Sequence, residues 1–99
     1  MKFIVAEKNT PQGIILIVTD TEILGKMFEE DKKQLDLTNK FYFGEEKDTK
    51  YITEKLEDAH VVHFTGKKAV ALGLSLDLID KNRIMIVSGI PHAEVLIEE

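Results

Sequence analysis

Ile14-Ile15-Leu16-Ile17-Val18 is the stretch on which the fold turns, and Thr19-Asp20-Thr21-Glu22 behind it sets the element next in the chain. Five aliphatic residues in a row leave no polar face, so the segment reads as a central strand covered on both sides. Upstream, Lys2 to Lys8 alternates, with Phe3 and Val5 on one face and Ile4 and Ala6 on the other. Asn9-Thr10-Pro11-Gln12-Gly13 between them is a turn cluster, which predicts an antiparallel hairpin. Downstream, Thr19-Asp20-Thr21-Glu22 has the form of a capping box and predicts a short helix that Gly25 ends.

Farther out, the charge block Glu29 to Lys33 reads as a solvated loop, and Leu35 and Leu37 alternate with polar residues as in a half-exposed strand. The polar segment Glu46 to Lys50 leads into a helix capped by Asp48, with Ile52, Leu56 and Ala59 on one face. His60 to Phe64 reads as a second buried strand. Gly66 opens another helix with Ala69, Leu72, Gly73 and Leu76 as its inner stripe. Asp80-Lys81-Asn82 is a turn, Arg83 to Val87 a strand, Gly89 to His92 a bend, and Glu94 to Ile97 a final strand. This order predicts a single α+β domain over residues 1–99, a mixed, mostly antiparallel sheet with two to three helices.

Composition narrows the function classes. With 99 residues the chain supports one core, and 43% apolar with 31% charged residues describe a folded domain with a charged exterior. No run approaches the ~20 apolar residues that cross a bilayer, and Met1 to Asn9 lacks the features of a signal peptide. The absence of cysteine excludes disulfides, thiol nucleophiles and thiolate metal sites, and fits a reducing cytosol. A net charge of −5, with Arg83 the single arginine among thirteen basic residues, argues against direct duplex DNA binding.

Candidate chemistry is sparse. Gly66 with Lys67 and Lys68 sets backbone N–H groups at a helix start, where an anion can bind. The stretch is not a phosphate-binding loop of the Walker type, because Val61 and Lys68 stand where a Gly and a Ser or Thr belong. His60 and His63 point to opposite faces of a strand and cannot easily share an ion. His63 and His92, with Glu45 or Glu94, make a conceivable two-His, one-carboxylate set. No HExxH or GxSxG is present, and Ser75 and Ser88 lack catalytic partners, so no catalytic residue, metal or cofactor is assigned. Phe41-Tyr42-Phe43 packs a core or offers an exposed Tyr42 to a partner, and Gly44 is expected to supply a positive φ in the turn before Glu45. Pro91 places His92 at a rigid bend.

Glu22 to Phe28, Phe41-Tyr42-Phe43-Gly44-Glu45, Gly66 with Ala69-Val70, and Gly89-Ile90-Pro91-His92-Ala93, in that order, resemble the landmarks of the archaeal family known as domain of unknown function 424. The chain departs from that pattern at Phe43 (family Gly), His63 (family Asn) and Glu94 (family Gln). The resemblance implies an archaeal cytosol and supplies no activity. The candidate binding residues are therefore Gly25, Lys26, Tyr42, Gly44, Glu45, His63, Gly66, Lys67, Pro91 and His92. The expectation is a cytoplasmic, non-enzymatic accessory module that binds a protein or ribonucleoprotein partner. The alternative is a small ligand-binding domain or enzyme with an anion at Gly66 and His92 or His63 as acid–base group or metal ligand.

Overall fold

The structure, a computed structural model, describes residues 1–97. Strands β1 (Lys2–Thr10) and β2 (Gly13–Asp20) form the expected hairpin, with Pro11 and Gln12 as its loop. They belong to a six-stranded sheet in the order β5-β1-β2-β6-β8-β7. Here β5 is Glu45–Asp48, β6 Ala59–Thr65, β7 Met85–Val87 and β8 Ile90–Leu96. Only β2 and β6 run parallel; the other neighbours are antiparallel. Strands β3 (Met27–Glu30) and β4 (Lys33–Asp36) make a separate hairpin, and the two helices are α1 (Thr49–Lys55) and α2 (Lys67–Ser75). The α+β class and the mixed, mostly antiparallel sheet are as the sequence predicts.

Alternation sorts the side chains onto two faces. One carries Phe3, Val5, Leu16, Val18, Val62, Phe64 and Ala93, packed with Ile52 of α1 and Ala69 and Val70 of α2 in the main core. The other carries Ile17, Thr19, His63, Thr65, His92 and Glu94. Leu35, Leu37 and Val87 form a second apolar cluster, flanked by Ile23, Phe28, Tyr42 and Ile90. Leu16, Ile17 and Val18 are all fully buried, so β2 is the doubly covered strand its composition requires.

Four local expectations are corrected. No helix starts at Thr19: β2 continues through Asp20 because Thr19 and Asp20 pair with Ile4 and Phe3, and only a 3-10 turn, Thr21–Ile23, comes after it. The charge block is not a loop but the β3–β4 hairpin, in which Phe28 faces Leu35, the charged residues of the block are exposed, and the Glu30 carboxylate accepts the Ser88 N–H. Glu45–Asp48, read as the end of a turn and a polar lead into the helix, is an edge strand against Lys2–Val5. Pro91 and His92 are not in a bend. The turn lies at Ser88-Gly89, and β8 begins at Ile90. Pro91 is tolerated in a strand because its N-side faces past the end of β6, while its carbonyl accepts the Gly66 N–H at 2.9 Å.

Candidate functional site

The site lies on the sheet face opposite the helices. Across β6 and β8, His63 stands opposite Glu94 and Thr65 opposite His92, so all four side chains project from one face. His63 Nε2 lies 3.7 Å from Glu94 Oε2. The His63 and His92 rings are 5.9 Å apart, and Phe41 meets His63 edge-on at 5.2 Å. The Thr65 hydroxyl lies 2.9 Å from His92 Nδ1 and orients that ring. Burial lowers the His63 pKa, with the Glu94 charge opposing; burial and the neighbouring His63 lower that of His92. Both imidazoles are therefore neutral near pH 7. Among the described residues, His63 Nδ1 and the hydroxyl of fully buried Thr19 have no hydrogen-bond partner. His63 and Glu94, two positions at which the resemblance implied a departure from the family pattern, form one cross-strand pair.

Metal and anion readings find less support. Among the described residues no three His, Asp or Glu side chains are arranged to hold a metal ion. Glu45 belongs to β5, at the far edge of the sheet from β8, and pairs with Lys47 at 3.3 Å. At the start of α2 the donors are already used: Asp20 accepts from the Lys68 N–H at 2.9 Å and the Ala69 N–H at 2.7 Å. Lys68 Nζ is held by Glu22 at 2.6 Å. Burial raises the Asp20 pKa, and the two backbone N–H groups oppose that shift. The groove beside it, about 250 Å3 and lined by Asp20, Glu22, Ile23, Gly66, Lys67 and Ile90, already contains a carboxylate at its anion position.

The remaining landmarks are dispersed more widely. Gly25 and Lys26 make an exposed turn clamped to Leu37 by two backbone hydrogen bonds of 2.9 Å. Tyr42 is not an exposed platform: it is half-buried on the Leu35–Leu37–Val87 cluster, and burial raises its hydroxyl pKa. Gly44 has no positive φ; it is glycine because a Cβ there would run into the Val5 carbonyl. Ile23 from the first landmark, Tyr42 from the second and Ile90 from the last pack against one cluster, with the Phe41, His63 and His92 rings in contact on the same face. Lys67 is exposed and outside that group. Sequence reasoning weighed Phe41 only as part of its aromatic cluster and missed Thr19, Thr65 and Asp20 as members of these sites. The available signal was positional: Thr19 and Thr65 lie at the C-terminal ends of the apolar runs of β2 and β6, and they pair in register.

A six-stranded mixed sheet with a helix-covered face and an imidazole–aromatic cluster on the other defines a small α+β domain. The family model described as Protein of unknown function (DUF424) matches residues 7–97, and the chain belongs to that family. The fold is similar to that in the "Crystal structure of an uncharacterized conserved protein from Methanopyrus kandleri". That match has TM-score 0.79 and 19% identity, covering 100% of this chain and 96% of the other. No curated protein matches the sequence.

Proposed function

We propose that this protein is a non-enzymatic binding module of the cytosol that recognises a protein or ribonucleoprotein partner through the face bearing Phe41, His63 and His92. The observation that carries this reading is the convergence of separated landmark peptides on one shallow, half-buried cluster. Two neutral imidazoles beside an edge-on aromatic offer apolar area and hydrogen-bonding edges, the composition of an interface centre. The acidic net charge of −5 favours contact with protein, or with a local part of a particle, over tracking along a phosphate backbone.

The test is sedimentation of the tagged protein from a native extract, with and without ribonuclease, for the wild type, His92→Ala and Met85→Lys. Met85 pairs with His92 and is exposed, so its charge alters the face without emptying the core. Tyr42→Ala is unsuitable because it would remove packing. Co-migration of the wild type with heavy particles that both variants lose supports the reading; collapse on ribonuclease treatment identifies a ribonucleoprotein. Wild type at the top of the gradient in both conditions removes the particle version, and variants that still co-migrate remove this face.

A further inference from the structure

The two edges of the main sheet are built differently. Edge strand β5 is Glu45-Glu46-Lys47-Asp48, charged throughout, and the free part of β1 beside it is covered where Glu7 meets Lys55 and the Tyr51 hydroxyl. Charge of this kind blunts a strand edge. The opposite edge carries exposed Met85 (55%), Ile86 (52%) and Leu96 (58%), with no charge in β7. Strand β7 covers only Ile90 to His92 of β8, so among the described residues Ala93 to Leu96 has no strand on its outer side.

Hydrogen-bond direction shows which groups are open. Pro91 O accepts from Gly66, and Ile97 N donates to His60, so the odd-numbered residues of β8 face β6. Glu94 and Leu96 therefore direct their N–H and C=O outward, beyond the end of β7. A groove of about 390 Å3 runs beside them, with Leu78, Ile79 and Val95 as apolar lining and Asp80, Arg83 and Glu94 as charged lining.

We propose that this edge pairs with the same edge of a second copy of the chain, antiparallel about Val95. That register is self-complementary. Glu94 exchanges backbone hydrogen bonds with Leu96 of the second copy and Leu96 with its Glu94, so all the outward groups are satisfied and no like charges meet. Val95 of each copy packs beside the other over the groove, and the exposed Leu96 side chain is covered. The two sheets become one. Leu96 of the second copy then lies beside Glu94, so each His63–Glu94 pair gains a side chain from the other subunit at its rim. Proposed self-pairing stands on the edge geometry alone, and failure of partner binding would leave it untouched.

The experiment is sedimentation equilibrium of the purified full chain over a wide concentration range, with hydrogen exchange at the Glu94 and Leu96 amides. Expected is a concentration-dependent monomer–dimer equilibrium, with protection of those two amides rising in step. Leu96→Glu sets Glu opposite Glu94 and abolishes the dimer. Leu96→Lys retains it, and Leu96→Glu with Glu94→Lys restores it, whereas a general loss of apolar surface would not be rescued by reversing a charge. Far-UV circular dichroism checks that each variant is folded. A wild type that stays monomeric at millimolar concentration overturns the proposal. So does a dimer that survives Leu96→Glu, or one that leaves the two amides unprotected.

Discussion

Asp20 carries more of the fold than its place at a strand end suggests. It is 5% exposed, and its carboxylate takes the N–H groups of Lys68 and Ala69, joining the end of β2 to the first turn of α2. Asp20→Ala is expected to cost about 1–2 kcal/mol, the range for a lost helix cap, measured by urea unfolding. Asp20→Asn keeps an acceptor oxygen and should recover part of that loss. Gly66 belongs to the same unit: at φ 109° it turns the chain under the carboxylate, and a Cβ there would enter Asp20 itself. Gly44→Ala is the second residue-scale prediction. Its Cβ would overlap the Val5 carbonyl, which is held in the sheet, so a loss above about 2 kcal/mol is expected in the same urea experiment. That Gly44 matters is legible in the sequence, but the reason is not. A glycine required by a neighbouring strand looks the same as one required by a turn.

At the scale of the element, the strands with strong apolar character are readable from sequence, and those held by their neighbours are not. Ile14 to Val18 and His60 to Phe64 declare themselves, and so does Asp48, whose carboxylate caps α1 by accepting the Tyr51 N–H at 2.9 Å. The capping box at Thr19 fails because its residues form ladder pairs with β1, a long-range competitor invisible to a local motif. β5 is hidden for the same reason: four charged residues become a strand only because Lys2–Val5 offers an edge. The β7–β8 turn gives a test at this scale. Ser88 and Gly89 have φ of 51° and 81°, the signature of a two-residue loop with positive φ at both positions. Asn tolerates that conformation better than Ser, so Ser88→Asn should raise stability by roughly 0.5 kcal/mol, seen as a higher thermal midpoint. The Ser88 N–H, which donates to Glu30 at 2.7 Å, is a backbone group and survives the change.

For the whole molecule, the fold class and several members of the site are legible in the sequence, but not their assembly. His63, Tyr42 and His92 stand out as candidates, yet only the β6–β8 register and the packing of residues 21–44 over the second face put them together. The same packing makes the stability of the domain depend on pH. The His63 and His92 pKa values are lowered by burial, so near and below 6.5 the unfolded chain binds more protons than the folded one. Stability is then lost as pH falls from the ordinary histidine value through the depressed folded values, and levels off below them. Glu7, lowered mainly by the Tyr51 hydroxyl, adds a further loss at still lower pH, as acid protonates it. Asp20 acts oppositely. Its raised pKa means that its ionisation costs stability, which returns as pH falls through the folded value. The acid side of the profile should therefore show a decline set by the histidines first, with the carboxylates of Asp20 and Glu7 partly cancelling beneath it. Urea midpoints measured from about pH 7.5 to about pH 5 should fall steadily in the wild type. In His92→Gln, which keeps a polar group opposite Thr65 but cannot titrate, the slope should be roughly half as steep. An unchanged slope in that variant would mean that His92 is solvated in the folded state, and that the buried imidazole pair does not exist as described.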